Sequence, residues 1–371
     1  MKLLVFAHVP PPHHGQSQMV KLMVDGFRSE AGLGIDVLHV DARLSTGMND
    51  IGSVRGGKIQ ALVGYCRSAL RLAKAHGCRT LYYVPSPPKR SSLYRDFLVM
   101  ALIRWRFERV VLHWHAVGLG AWLESEAWFW ERWLAQACLG RAHRAIVLAS
   151  SNRADAEVLR PRSVVVVSNG IPDPCPDFSQ SLATRRAGIA DLAEVRVLFM
   201  AHCTREKGLF GALEAVVAAN RVSGSGRRFR LTVAGSFLSA SEEAEFQTRV
   251  DQVDVAGCVE VVGFVSGAEK DRLFREADVF LFPTYFANEG QPLNLIEALA
   301  YGLPCVTTRW RSIPEYFSGD YAGLCVPRDI PALAQALHWV VEQVDGRGLR
   351  REYERRFAVE PHLRCLAEAV R

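Results

Sequence analysis

Short apolar runs alternate with longer stretches of helical period through both halves of this chain, and turn-forming residues separate them. Such alternation is what a parallel sheet flanked by helices requires. In the first half it predicts strands at 2–7, 34–40, 80–84, 109–113, 145–148 and 163–167, with helices at 16–31, 57–75, 91–107 and 124–142. The segment Ser168-Asn169-Gly170-Ile171-Pro172-Asp173-Pro174-Cys175-Pro176 fits no regular element and reads as a domain linker. A second alternation then predicts strands at 195–200, 230–234, 259–262, 279–282 and 304–307, with helices at 208–222, 240–253, 269–277 and 293–301. The fold class that follows is α/β, with two Rossmann-like domains, 1–172 and 173–358.

Composition narrows this picture. A length of 371 residues suits two domains better than one core, and 49% hydrophobic with 23% charged residues describes a globular chain. No apolar run reaches the roughly 18 residues of a membrane span. The opening Met1-Lys2-Leu3-Leu4-Val5-Phe6-Ala7-His8-Val9-Pro10 reads as a first strand, not a signal peptide, so the expected location is cytoplasmic. Nine cysteines without a Cys-x-x-Cys pair fit reduced thiols in the same compartment.

The net charge of +6 is modest, but its distribution is uneven. Arg55, Lys58, Arg67, Arg71, Lys74, Lys89, Arg90, Arg95, Arg104, Arg106 and Arg109 crowd the first half. Among them stand Tyr65, Tyr82, Tyr83, Tyr94, Trp105, Trp114, Trp122, Trp128, Trp130 and Trp133. Cations with amphipathic aromatics are what an anionic lipid surface selects, which makes peripheral attachment to the inner face of the cytoplasmic membrane the expectation. A plain solvated basic face is the competing reading. Nucleic acid is not expected as a partner, because no recognised nucleic-acid module is visible.

The densest chemistry lies in Glu289-Gly290-Gln291-Pro292-Leu293-Asn294-Leu295-Ile296-Glu297, which continues as Ala298-Leu299-Ala300-Tyr301-Gly302-Leu303-Pro304. It follows the strand-like run Asp278-Val279-Phe280-Leu281-Phe282-Pro283. Pro292 suits a first helical turn, and Gly302 with Pro304 suits a stop, so a helix is predicted to begin near Leu293. Its unpaired amides and positive dipole end would face an anion. A sugar joined to a nucleoside diphosphate suits this arrangement: Glu289 accepts from sugar hydroxyls, the following amides hold the diphosphate, and Glu297 accepts from a ribose diol. The alternative is an exposed loop acid and a solvated helix acid. Apolar neighbours Leu293, Leu295, Ile296, Ala298 and Leu299 weigh against it, since unpaired carboxylates would be costly there.

This segment resembles the signature of the retaining glycosyltransferases of family 4, whose two-domain architecture is called GT-B. The Glu-x7-Glu spacing, the proline after the first Glu and Glu-Ala-Leu-Ala-x-Gly-x-Pro all stand here. The resemblance implies parallel sheets facing an interdomain cleft, an acceptor-binding first domain, a nucleotide-sugar-binding second domain, and a last helix, about 359–371, packing back on the first. Asn169-Gly170-Ile171 looks like the family hinge.

The other strand exits add candidates. Pro10-Pro11-Pro12-His13-His14-Gly15-Gln16-Ser17 puts Gly15 where a backbone can approach a phosphate or acceptor, although the family often has two glycines here. His13 and His14 lack a carboxylate or cysteine at ligand spacing, so no metal is expected. In His113-Trp114-His115-Ala116-Val117-Gly118, His115 matches the family histidine near the reacting sugar. In Met200-Ala201-His202-Cys203-Thr204-Arg205-Glu206-Lys207-Gly208, Lys207 matches the lysine that neutralises the donor diphosphate. The arginine that many relatives carry five positions earlier is His202 here, which leaves Arg205 as the candidate second cation. Gly235 resembles the family's phosphate turn, and Phe264 with Val265 resembles its base-contacting strand exit.

Together these readings predict a retaining, metal-independent hexosyltransferase with His115, Glu289 and Lys207 in catalytic roles. The expected donor-binding residues are Gly15, Arg205, Lys207, Gly235, Phe264, Val265, Glu289, Gly290, Gln291, Pro292, Leu293, Asn294 and Glu297. No cofactor is expected; the nucleotide-sugar is a substrate, and the acceptor is a saccharide or lipid-linked saccharide in cell-surface polysaccharide or glycolipid synthesis. A non-catalytic nucleotide-sugar-binding partner and a GT-B-type epimerase are the alternatives. Glycoside hydrolysis is disfavoured, because one acid of the pair sits on a phosphate-facing helix rather than across a scissile bond. The sequence does not choose among GDP-mannose, UDP-glucose, UDP-N-acetylglucosamine and other donors.

Overall fold

In the computed structural model, which describes residues 1–11, 15–29, 31–43, 56–182, 193–222, 226–252 and 257–371, the apolar runs become two six-stranded parallel sheets, one in each of two units. The first unit comprises Met1–Gly170 with Asn288–Gln291 and Val359–Arg371. The second comprises Ile171–Ala287 with Pro292–Ala358.

The first sheet contains β1 (Lys2–Phe6), β2 (Asp36–Val40), β3 (Thr80–Tyr83), β4 (Arg109–Trp114), β5 (Arg144–Val147) and β6 (Val164–Val166) in the order β2-β1-β3-β4-β5-β6. Alternate side chains serve opposite cores: Leu4, Phe6, Leu81, Tyr83 and Leu112 enter one, and Leu3, Val5, Tyr82, Val111 and Ile146 enter the other. A strand buried on both faces must be apolar throughout, which is why these strands were visible as runs. The flanking helices are α1 (Gly15–Ser29), α2 (Gly56–His76), α3 (Arg90–Ile103), α4 (Leu119–Ser125), α5 (Phe129–Cys138) and α6 (Arg153–Glu157).

Two helix expectations need correction. The stretch 124–142 is not one helix; a break separates α4 from α5, where the Glu131 carboxylate turns back to accept from the Trp128 amide (2.9 Å) and starts a new helix. The stretch 91–107 ends at Ile103 and tightens into a 3-10 turn over Arg104–Arg106.

The second sheet contains β7 (Glu194–Met200), β8 (Arg228–Ala234), β9 (Val259–Gly263), β10 (Val279–Phe282), β11 (Cys305–Thr308) and the two-residue β12 (Leu324–Cys325), in the order β12-β11-β10-β7-β8-β9. The chain winds outward from β7 in both directions, the doubly wound arrangement of nucleotide-binding sheets. Helices α7 (Leu209–Arg221), α8 (Ala240–Val250), α9 (Gly267–Glu276), α10 (Leu293–Ala300), α11 (Ile330–Gln343) and α12 (Gly346–Arg356) accompany it. The pattern reading did not assign β12, α11 or α12. Arg350 of α12, largely buried, ties the chain after Ile171 to the end of α10: it pairs with Asp173 and donates to the carbonyls of Ala300 (2.9 Å) and Cys175 (3.3 Å).

The last helix, α13 (Val359–Val370), belongs to the first unit. Leu363, Leu366, Ala367 and Val370 share a core with Val20, Met23 and Phe27 of α1. Gly26 makes this contact close, since a Cβ there would lie 2.5 Å from Leu363 Cδ1. His362 Nδ1 bonds the Ser168 carbonyl at 2.6 Å.

Candidate functional site

In an open parallel sheet, ligands gather at the carboxyl ends of the strands, where successive connections leave in opposite directions. In the second unit that point lies between β7 and β10, and the loops after these strands are bonded together. The Glu206 carbonyl accepts from the Tyr285 amide (2.8 Å) and Thr284 Oγ1 (3.3 Å). Gly208, at φ +90°, lies so near that a Cβ would be 2.4 Å from the Pro283 carbonyl oxygen. Any other residue would push the Lys207 loop off the β10 loop. Lys207 Nζ consequently stands 4.7 Å from the Phe286 ring centre and 5.8 Å from that of Phe282.

Helix α10 starts at the same place. Pro292 is its N-cap, one position before the first-turn place that the sequence suggested. Tyr316 donates to the Pro292 carbonyl at 3.1 Å. Asn294 anchors the first turn by donating to the Met200 carbonyl at the end of β7 (2.7 Å), while its own Oδ1 accepts from the Leu295 amide (2.9 Å). The remaining first-turn amides of such a helix have no intrahelical partner and carry its positive dipole end.

Gly235, after β8, fits against the β7 exit: a Cβ would lie 1.8 Å from the Ala201 carbonyl oxygen, and its amide donates to Gly263 (2.7 Å). Gly263, at φ +74°, turns the chain out of β9, leaving Phe264 73% exposed while Val265 packs against the core. The exits of β7, β8 and β9 thus converge on one edge, with an open aromatic ring on it.

Two predicted residues are already engaged. Arg205 lies over the Phe210 ring (4.0 Å) and pairs with Glu245 at 2.6 Å, so its charge is compensated within the unit. Glu297 Oε1 accepts from Lys270 Nζ of α9 at 2.5 Å; burial pushes its carboxyl upward and Lys270 opposes that shift. Lys270 was not anticipated, because no motif marks a residue that reaches Glu297 from another helix. Burial, with a contribution from Lys207, lowers the proton affinity of His202, which favours the neutral imidazole.

In the first unit, β4 delivers His113 and His115. His113 is buried and bonded through Nδ1 to the Tyr82 hydroxyl; burial, then His115 and His362, push its pKa well below the ordinary imidazole value. The His115 ring lies 4.2 Å from it, centre to centre. The segment Asn288–Gln291 packs on the His115 main chain, for a Cβ on Gly290 would sit 2.1 Å from the His115 carbonyl oxygen. Asn169 and Gln291 lock this register: the Asn169 amide donates to Gln291 Oε1 (2.6 Å) and its Nδ2 to the Gln291 carbonyl (3.2 Å). Glu289 is buried between these anchored neighbours. The structure therefore groups His115, Glu289, Gly290 and Gln291, with Asn169 as a member that the linker reading did not assign to the site. Gly15 opens α1 and is exposed; His13 and His14 lie outside the described residues.

The aromatic residues of the first half divide sharply. Tyr82, Tyr83, Trp114 and Trp122 are core residues and supply no surface, which corrects that part of the expectation. Trp105, Trp128 and Trp133 are exposed, as is Phe129, which the sequence reading passed over.

Residues 183–356 match the family model of the glycosyl transferases group 1. The amylovoran biosynthesis glycosyltransferase AmsK of Erwinia amylovora is 35% identical over 148 residues, covering 38% of this chain and 35% of that protein. The putative colanic acid biosynthesis glycosyltransferase WcaL of Escherichia coli (strain K12) is 33% identical over 153 residues, covering 40% and 36%. The matches span about a third of the length of these curated relatives. Among solved structures, Anabaena Alr3699/HepE in complex with UDP and glucose has a TM-score of 0.67 at 15% identity, covering 99% of this chain and 98% of that one. Sucrose-phosphate synthase from Thermosynechococcus elongatus has a TM-score of 0.70 at 17% identity, with the same coverage. These likenesses show the fold: two Rossmann-like α/β units with parallel sheets, as in GT-B glycosyltransferase structures.

Proposed function

We propose that this chain is a retaining glycosyltransferase of family 4 that moves a sugar from a nucleoside diphosphate sugar to a saccharide or lipid-linked acceptor, in cell-surface polysaccharide or glycolipid synthesis. The observation that carries the reading is the convergence, at the switch point of the second sheet, of the Lys207 loop with the amino end of α10. A cation beside a helix N-terminus suits a diphosphate. The open Phe264 ring suits stacking on a base, and Glu297 suits a ribose diol once Lys270 yields it. The group 1 family match over this half, and UDP in the HepE structures, support a nucleotide-sugar as donor.

In this reading the acceptor hydroxyl oxygen attacks the anomeric carbon from the face that the diphosphate leaves. The bond from that carbon to the β-phosphate oxygen breaks, and the leaving diphosphate takes the acceptor's proton. Lys207 and the α10 amides stabilise the charge that develops on the diphosphate, so no metal is required. Glu289 and His115 hold the sugar through its hydroxyls. The polysaccharide synthesis named for AmsK and WcaL supports a saccharide acceptor, and the exposed aromatics among cations of the first unit support work at an anionic membrane surface.

A donor screen with the purified chain, scored by nucleoside diphosphate released in the presence and absence of acceptor and of EDTA, tests the proposal. Release that needs acceptor and survives EDTA is expected. A binding-only protein would release nothing from any donor, and an epimerase would convert donor without releasing nucleotide. Activity abolished by EDTA and restored by manganese would refute the metal-independent mechanism.

A further inference from the structure

Helices α3 and α5 lie side by side and run the same way. Tyr94 of α3 donates to Glu131 of α5, Cys138 Sγ donates to the Phe97 carbonyl (3.6 Å), and Arg104 donates to the carbonyls of Cys138 and Gly140 (2.7 Å each). This pair and the turn after α3 leave Trp105, Phe129 and Trp133 exposed by 74%, 85% and 67%. Exposed aromatic rings that share a surface with cations are candidates for an interaction site. Phe129 and Trp133 stand one helical turn apart, on the same side of α5.

The turn that bears Trp105 also borders a pocket of about 440 Å³, lined by Arg104, Trp105, Glu108, Arg141, His143 and Arg162 among others. It sits by the amino ends of β4 and β5, the edge of the sheet opposite His115. Arg104 spends its donors on the carbonyls at the end of α5, and among the described residues Arg104, Arg141 and Arg162 form no ion pair with a carboxylate. The one acid in the lining, Glu108, is paired with Arg79 at 3.2 Å. His143 reports the excess positive charge: after burial, its proton affinity is lowered most by Arg109, Arg144 and Arg162. Arg109 bonds His143 Nε2 at 3.0 Å.

We propose that the α3–α5 face docks on an anionic lipid bilayer, with the arginine pocket receiving a headgroup phosphate while Trp105, Phe129 and Trp133 enter the boundary between headgroups and acyl chains. A soluble acidic polymer would satisfy the arginines but would leave Phe129, which has no polar atom, exposed to water. A bilayer uses both features at once. The inference rests on the lipid-linked acceptor reading for its purpose, not for its evidence.

The test uses the full chain and sedimentation with phosphatidylcholine vesicles, with or without phosphatidylglycerol, at low and high salt. Binding is expected only with phosphatidylglycerol. Arg141→Asn with Arg162→Gln should weaken it about 25-fold, since a basic residue near such a surface contributes roughly 1 kcal/mol, about fivefold in affinity. Phe129→Ser with Trp133→Ser should leave low-salt binding in place and abolish what survives at high salt, because salt screens charge and not insertion. All four positions are on exposed or pocket-lining surface, and circular dichroism checks that the variants stay folded. Wild-type protein that fails to sediment with phosphatidylglycerol, or binding unchanged in both variants, would overturn the proposal. So would full displacement by a soluble acidic polysaccharide at equal charge, which would make the polymer the ligand. Sugar transfer to a water-soluble acceptor, with release of nucleoside diphosphate, would persist in any of these cases, so failure of docking is separable from failure of the enzymatic reading.

Discussion

Gly290→Ala is the sharpest test of how the Glu289 loop is held. Gly290 is not at positive φ, so the substitution acts only through space. The new Cβ would lie 2.1 Å from the His115 carbonyl oxygen and 3.0 Å from its carbon, where ordinary contact begins at 3.4 Å. Both atoms are main chain and cannot rotate aside, so the two segments must part by about 1.3 Å, the shortfall from ordinary contact. Overpacking of this kind costs roughly 1–3 kcal/mol, which a domain with a stability of about 5–15 kcal/mol survives. A misplacement of about 1 Å at reacting groups costs about a hundredfold in rate. We therefore expect turnover, measured as nucleotide released from the best donor with acceptor present, to fall about a hundredfold while the melting temperature drops a few degrees. Affinity for free nucleoside diphosphate should change little, since Lys207 and α10 belong to the other unit. Gly64→Ala, on an exposed face of α2 with nothing within 4 Å, is the matched control and should be neutral or slightly stabilising. A folded Gly290→Ala enzyme with turnover within about threefold of wild type would refute the idea that this contact sets the position of Glu289.

Two further outcomes follow. Lys207→Ala and Glu297→Gln should each weaken nucleoside diphosphate binding about tenfold or more in calorimetry, as charged hydrogen bonds contribute about 1.5–3 kcal/mol, whereas Glu289→Ala should chiefly lower turnover; unchanged affinity in both of the first pair removes their assignment. His362 is buried with its pKa lowered from 6.5 to about 4 by desolvation, against the opposing Ser168 hydrogen bond. The unfolded chain therefore takes up this proton below pH 6.5 and the folded chain only near 4, so stability is full above 6.5 and declines by about 3 kcal/mol as pH falls to 4. His362→Gln, which retains a donor for the Ser168 carbonyl, should flatten the melting temperature across that window, with His113 leaving a residual slope; a curve that matches wild type counts against His362 as a source of acid lability.

Much of the framework was readable along the chain. Strands such as Val279–Phe282 are buried on both faces and so appear as unbroken apolar runs, and α10 begins at Leu293 because Pro292 and Gly302 bracket it. The loop bearing Lys207 was legible for the same reason, as it lies between a strand signal and a helix signal only a few residues apart. These are local properties, set by period, capping and backbone chemistry within a dozen positions.

What the fold decided depends on partners distant in sequence. Nothing local distinguishes Tyr82 and Trp122, which are buried, from Trp105 and Trp133, which are open; burial depends on which neighbouring element covers each ring. The break between α4 and α5 depends on Glu131 capping a new start, and the state of Glu297 depends on Lys270, 27 residues away on another helix. The approach of Gly290 to His115 and the pairing of Asn169 with Gln291 join segments more than a hundred residues apart. Periodicity and turn chemistry along the chain thus determined two parallel-sheet units and the strand exits that carry polar chemistry. Which of those residues face one another, which charges are already compensated and which aromatics meet water were decided only by packing, because desolvation and Coulomb interactions act over ångströms in space and take no account of separation along the chain.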